Sequence, residues 1–232
     1  GDKSAREHSD ALDRLGVRRG GSAEVYSGRL AFTLVGEKLA EAWPLFADMA
    51  ARPALADEAM PACRDLALQA LDGLQDDPQQ RVVYGLKKQH FPEPFGRNPM
   101  GDPEVIRALE PQRVRDFAQQ CLVPGGSVIG IAGCFDWEQV VELAEQHLGD
   151  WAGDMDYPQP RDAAERGHQH EEADTQQVHV ALAYDAPPES ADDSAMQRLA
   201  VACLSGGMSG RLFAEVREKR GLCYAVFASY AA

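Results

Sequence analysis

Apolar residues recur at helical spacing along most of the chain and alternate with polar ones in a few short runs. "SAREHSDALDRLG" (4–16) predicts an amphipathic helix closed by Gly16, with Ala11, Leu12 and Leu15 on one side. Residues 23–37 have strand character, and 38–52 are helical in period, with Pro44 kinking that helix or marking its first turn. Further helices are predicted from Asp57 to about Leu74, over 79–91, and over 103–122, the last split in two at Pro111. "SVIGIAG" (127–133) reads as a compact buried strand and 136–151 as a helix ended by Gly149.

The periodicity then lapses. Residues 152–174 are rich in Pro, Asp, Glu and Gln, which marks a linker. The chain accordingly divides into a first domain over 1–155, a linker over 156–174 and part of a second domain over 175–232. In that second part, 176–187 alternate like a strand and 190–205 are helical in period. A glycine-rich turn and a short charged helix follow; that helix stops at Gly221 and gives way to a strand-like run, "LCYAVFASY". About 60 residues with one layer of pattern is thin for a core. The expectation is a fragment, or a second domain that has been cut.

Composition narrows the partners. A net charge of −14 would repel a phosphate backbone, which argues against nucleic acid. No apolar run approaches the roughly 18–20 residues that span a bilayer. Cys63, Cys121, Cys134, Cys203 and Cys223 are odd in number and form no CxxC pair, so free thiols in a reducing compartment, the cytoplasm, are expected. "HQHEE" (168–172) offers metal-binding side chains but lies in the polar linker, where solvated groups are the plainer reading. "SGGMSG" (205–210) lacks the Lys-Ser/Thr of a phosphate loop and reads as a tight turn.

Candidate chemistry gathers at 207–226. Arg217 falls near the C-terminal end of the short helix, where a cation suits the helix dipole, and Tyr224 follows the Gly221 break. Guanidinium and phenol can converge there as two hydrogen-bond donors for a peptide carbonyl or a developing oxyanion. Spacing alone leaves a second reading open, with Arg217 as a surface helix cap and Tyr224 as a core aromatic.

"GGMSGRLFAEVREKRGLCYAVFASY" resembles the second-domain signature of the insulinase, pitrilysin and mitochondrial processing peptidase family, the zinc peptidases that carry H-x-x-E-H. "DDPQQ", "GRNPMGDPEVIRAL" and "PGGSVIGIAGCFDWEQVVELAEQHLGDW" follow that family's order as well. The resemblance implies an α+β fold, with helices packed on a mostly antiparallel sheet and the domain repeated twice, the second copy incomplete. It implies that Arg217 and Tyr224 reach across to hold a substrate and polarise its scissile carbonyl. It also exposes a gap. No H-x-x-E-H occurs in the chain, and by family spacing it belongs just ahead of Gly1. "SAREH" (4–8) has Ser4 in the first His position and reads as ordinary helix. Anchored on "DDP" (76–78), the third zinc ligand falls at Ala70, and the functional Glu seven residues earlier falls at Cys63; neither is a carboxylate. Asp65 and Asp72 are seven apart too, but lie off that face and read as solvated charges.

The expectation is therefore a peptidase-like chain with no zinc of its own. It would be inactive alone, bind extended peptide, and present Arg217 and Tyr224 to a zinc-bearing family partner or to another copy. A non-hydrolytic peptide-binding or structural scaffold subunit is the alternative. An active zinc endopeptidase whose motif lies upstream is the third reading.

Overall fold

Ser4 and Glu7 start the first helix by capping each other. Ser4 N–H donates to the Glu7 carboxylate at 2.9 Å, and Glu7 N–H donates to the Ser4 hydroxyl at 3.3 Å. Two otherwise orphaned backbone donors are thereby satisfied. In this computed structural model, which describes residues 3–162, 164, 166–174 and 176–230, the helix is α1 (Ala5–Arg14). His8 shares in its packing, with Nε2 at 3.1 Å from the Leu45 carbonyl. Glu7 and His8 of "SAREH" are thus engaged as helix residues.

An antiparallel hairpin follows, β1 (Arg18–Ala23) and β2 (Gly28–Thr33), with Arg18 opposite Thr33 and Ala23 opposite Gly28. The chain reverses at Glu24–Ser27, where Glu24 N–H donates to the Ser27 carbonyl at 2.8 Å. The single strand expected over 23–37 is therefore a turn and one strand, and its partner precedes it. α2 (Leu39–Ala51) carries Pro44 in its interior and runs on through it. Then come α3 (Met60–Gln75), α4 (Pro78–His90), α5 (Pro103–Ala108), α6 (Pro111–Cys121) and α7 (Trp137–Leu148), with the break at Pro111 as predicted.

Two compact units result, Gly1–Ala181 and Leu182–Ala232. The first is built around α2. Its Ala42 and Leu45 pack with Leu12 of α1 and Val17, and Phe32 of β2 stacks on Phe46 at 4.0 Å. On another side, Leu39 and Trp43 pack with Val140 of α7. Leu12 is fully buried, which stabilises the unit by about 1.5–3 kcal/mol. In the second unit, α8 (Ser194–Ser205) is followed by a π-helix over Phe213–Glu218. No apolar side chain described there is buried. Instead the extended C-terminal run is pinned by polar contacts: Ala228 N–H to Ser205 Oγ at 2.9 Å and Tyr230 O–H to the Pro187 carbonyl at 2.5 Å.

Among the described residues, the hairpin is the only sheet. The runs 127–133, 176–187 and 222–230, expected as strands, form no ladder. Many of their apolar side chains lie open, with Val128 92%, Val178 89% and Tyr184 79% exposed, whereas Ile131 packs on the Leu39–Trp43–Val140 cluster. A strand needs a neighbouring strand for its ladder, and among the described residues no strand pairs with these runs. No described helix is long and apolar enough to cross a membrane.

Candidate functional site at the Arg217–Tyr224 junction

The second unit's charged helix begins as an α-turn at Arg211 and Leu212 and widens over Phe213–Glu218, where Lys219 N–H donates to the Ala214 carbonyl five residues back, at 3.0 Å. The helix ends at Gly221, whose φ of +61° lies in the left-handed region. Gly221 N–H donates to the Arg217 carbonyl at 2.9 Å, and Leu222 N–H to the Val216 carbonyl at 3.1 Å. These bonds occupy two of the last helical carbonyls and turn the chain back along the helix. The turn carries Tyr224 back to Arg217. The guanidinium carbon lies 5.3 Å from the Tyr224 ring centroid and 4.6 Å from that of Phe213. Arg217 therefore touches two aromatic rings.

Its N–H donors are available. Among the described residues the one carboxylate within 4 Å of them is that of Glu218, at 3.9 Å from Nε, which is beyond hydrogen-bonding distance. Glu215 is engaged by Lys219 at 2.6 Å, and that hydrogen bond and charge hold its carboxyl below the usual carboxylate range. Arg217 has a side chain 38% exposed and Tyr224 is 87% exposed; among the described residues neither side chain makes a hydrogen bond. Tyr224 is thus not a core aromatic. The half-buried Arg217 guanidinium meets the exposed Tyr224 ring on one side of a tight turn. Phe213 was not singled out from the sequence, although its spacing of four from Arg217 on a helix was the signal for it.

The positions that the family resemblance gives to the zinc site are different in kind. Cys63 and Ala70 lie on α3 and both are exposed; Ala70 has no donor atom, and Cys63 is a free thiol. Asp65 and Asp72 are exposed as well. Among the described residues, no group of three or more His, Cys, Asp or Glu side chains could hold a metal ion. Among the described residues, the side chains at Cys63 and Ala70 do not fit a zinc centre of three protein ligands and an open position.

Comparison with known proteins gives this site a family. The chain is 29% identical over 174 residues to an uncharacterized zinc protease of Mycobacterium leprae, covering 72% of the chain and 39% of the relative. It is 29% identical over 239 residues to one of Streptomyces coelicolor, covering 97% and 51%. The chain thus spans about half the length, or less, of these curated relatives. Among solved structures, the peptidase M16 inactive domain from Pseudomonas fluorescens superposes with a TM-score of 0.79 at 20% identity, over 99% of this chain and 57% of that one. A protease from Helicobacter pylori gives 0.79 at 17%, over 98% and 57%. A chain of complex III2 from Candida albicans gives 0.62 at 18%, over 91% and 56%. These likenesses establish the fold, an α+β peptidase-like fold with a small antiparallel sheet. The profile described as "Peptidase M16 inactive domain" matches residues 108–232, more than half of the sequence and all of the turn that joins Arg217 to Tyr224, and the chain belongs to that family.

Proposed function

We propose that this chain binds extended peptide and acts in hydrolysis only beside a zinc-bearing partner, to which it presents Arg217 and Tyr224. The observation that carries the reading is the junction itself: a half-buried arginine whose guanidinium carbon lies 5.3 Å from the ring centroid of an exposed tyrosine, neither side chain making a hydrogen bond among the described residues. Two donors so placed can bind one carbonyl oxygen and stabilise the charge that develops on it, an interaction worth more in the transition state than in the ground state. The names of the relatives, zinc proteases, support the reaction class. The vacant donor set at Cys63 and Ala70 supports placing the metal on another subunit, a family relative or a second copy.

The test uses the full-length protein together with any H-x-x-E-H chain that co-purifies. Arg217→Ala should lower peptide hydrolysis by the pair about 100-fold, the loss typical of one such donor, while leaving assembly intact. Unchanged hydrolysis would refute the role.

A second reading, a structural or peptide-binding scaffold without a hydrolytic partner, draws on the fold likeness to a chain of complex III2. Purification without any H-x-x-E-H chain, but within a larger assembly, would favour it.

A further inference from the structure

We propose that Phe213 is a positioning residue: it stacks on Arg217 from the side of the helix, holds the guanidinium against Tyr224 and keeps it off Glu218. This deepens, and rests on, the reading of Arg217 as the donor to a peptide carbonyl. Phe213 opens the π-helix and Arg217 lies four residues on, with the ring centroid 4.6 Å and that of Tyr224 5.3 Å from the guanidinium carbon. Both distances fall within the roughly 6 Å over which an aromatic ring attracts a cation.

A guanidinium offers its faces to rings and its edges to acceptors. Aromatic contacts therefore fix the group without using its donors, which a salt bridge would consume. The competing partner is on the same helix. Glu218 lies 3.9 Å from Arg217 Nε, one side-chain rotation from a hydrogen-bonded pair. Removing the Phe213 ring leaves Tyr224 as the sole stack and frees Arg217 to close on Glu218. The edge that would bind substrate is then lost, although both charged residues remain.

The test separates this inference from the reading beneath it. In the full-length protein labelled at arginine, the Arg217 Nε–H resonance should be shifted upfield by the rings. Phe213→Leu should remove most of that shift, Phe213→Tyr should keep it, and adding Glu218→Gln to Phe213→Leu should stop the resonance moving to the position of an ion-paired guanidinium. With the co-purified pair and a fluorogenic peptide, Phe213→Leu should raise KM about two- to fivefold, the range expected for an exposed cation–π contact. Phe213→Tyr and the Phe213→Leu/Glu218→Gln double variant should restore it. An Arg217 resonance unmoved by Phe213→Leu would overturn the stacking. A moved resonance with unchanged KM would overturn its consequence for substrate. If Phe213→Leu does not fold, Phe213→Met and Glu218→Gln carry the same comparison. Undiminished hydrolysis by Arg217→Ala, with the ring shift present in the unsubstituted protein and lost in Phe213→Leu, would instead count against the proposed function alone.

Discussion

Alanine at Gly221 and alanine at Gly85 should shift stability in opposite directions, and the reason is local. At both positions a Cβ would meet no atom within 4 Å, so neither substitution creates a clash. Gly85 lies inside α4, where the backbone is helical and alanine restricts the unfolded chain more than glycine does. Gly85→Ala should therefore stabilise the first unit by about 0.4–1 kcal/mol. Gly221 sits at φ +61°, where an L side chain meets its own carbonyl and costs about 1–2 kcal/mol. The two variants should thus differ by about 2 kcal/mol, a factor of roughly 30 in an equilibrium constant. At Gly221 the cost falls on the turn that brings Tyr224 to Arg217, so asparagine, which tolerates the left-handed region, should be milder than alanine, and valine worse. Thermal unfolding by calorimetry reads the stability, and the Arg217 Nε–H shift reads the turn. Should Gly221→Val prove as stable as Gly221→Asn, with the Arg217 resonance unchanged, the left-handed turn would not be what joins the site.

Two more outcomes follow from the first unit. Leu12→Ala, at the one large side chain that is fully buried among the described residues, should cost about 3–5 kcal/mol in chemical denaturation; a loss below about 1 kcal/mol would mean that the α1–α2 packing is not the core. The Glu7 carboxyl is held below its ordinary value of 4.5 by hydrogen bonds from the Ser4 side chain and backbone, so its capping contribution is complete above that value and lost as pH falls through the lowered one. Amide exchange in the first turn of α1 should accelerate, relative to the intrinsic rate at each pH, on acidification below about pH 4.5, and Glu7→Ala should abolish the dependence.

What the sequence disclosed depended on how local the cause was. The first helix with its close near Gly16, the Pro111 break and the Gly221 stop are each decided within a few residues, and each was legible; the Ser4–Glu7 cap, just as local, was not singled out. The hairpin was half legible: "RRGGSA" in β1 has no apolar alternation, because all six of its residues are exposed on the sheet. The runs at 127–133, 176–187 and 222–230 carry the alternation of strands without a ladder, since pairing is decided by a neighbour distant in sequence. At the site, Arg217 and Tyr224 were found through the motif, and their convergence followed from the glycine between them. The widened turn over Phe213–Glu218 was not legible, because its residues are ordinary helix formers and the extra residue per turn has no compositional mark. With that turn went the stacking of Phe213 on Arg217.

The central claim is that this polypeptide supplies donors and not the metal. It is tested most directly by the zinc content of the natural full-length protein, purified alone without chelator and measured by elemental analysis. Near-zero zinc per chain is the predicted result. About one zinc per chain would contradict it, and would mean that a carboxylate other than the two missing at Cys63 and Ala70 completes a metal site.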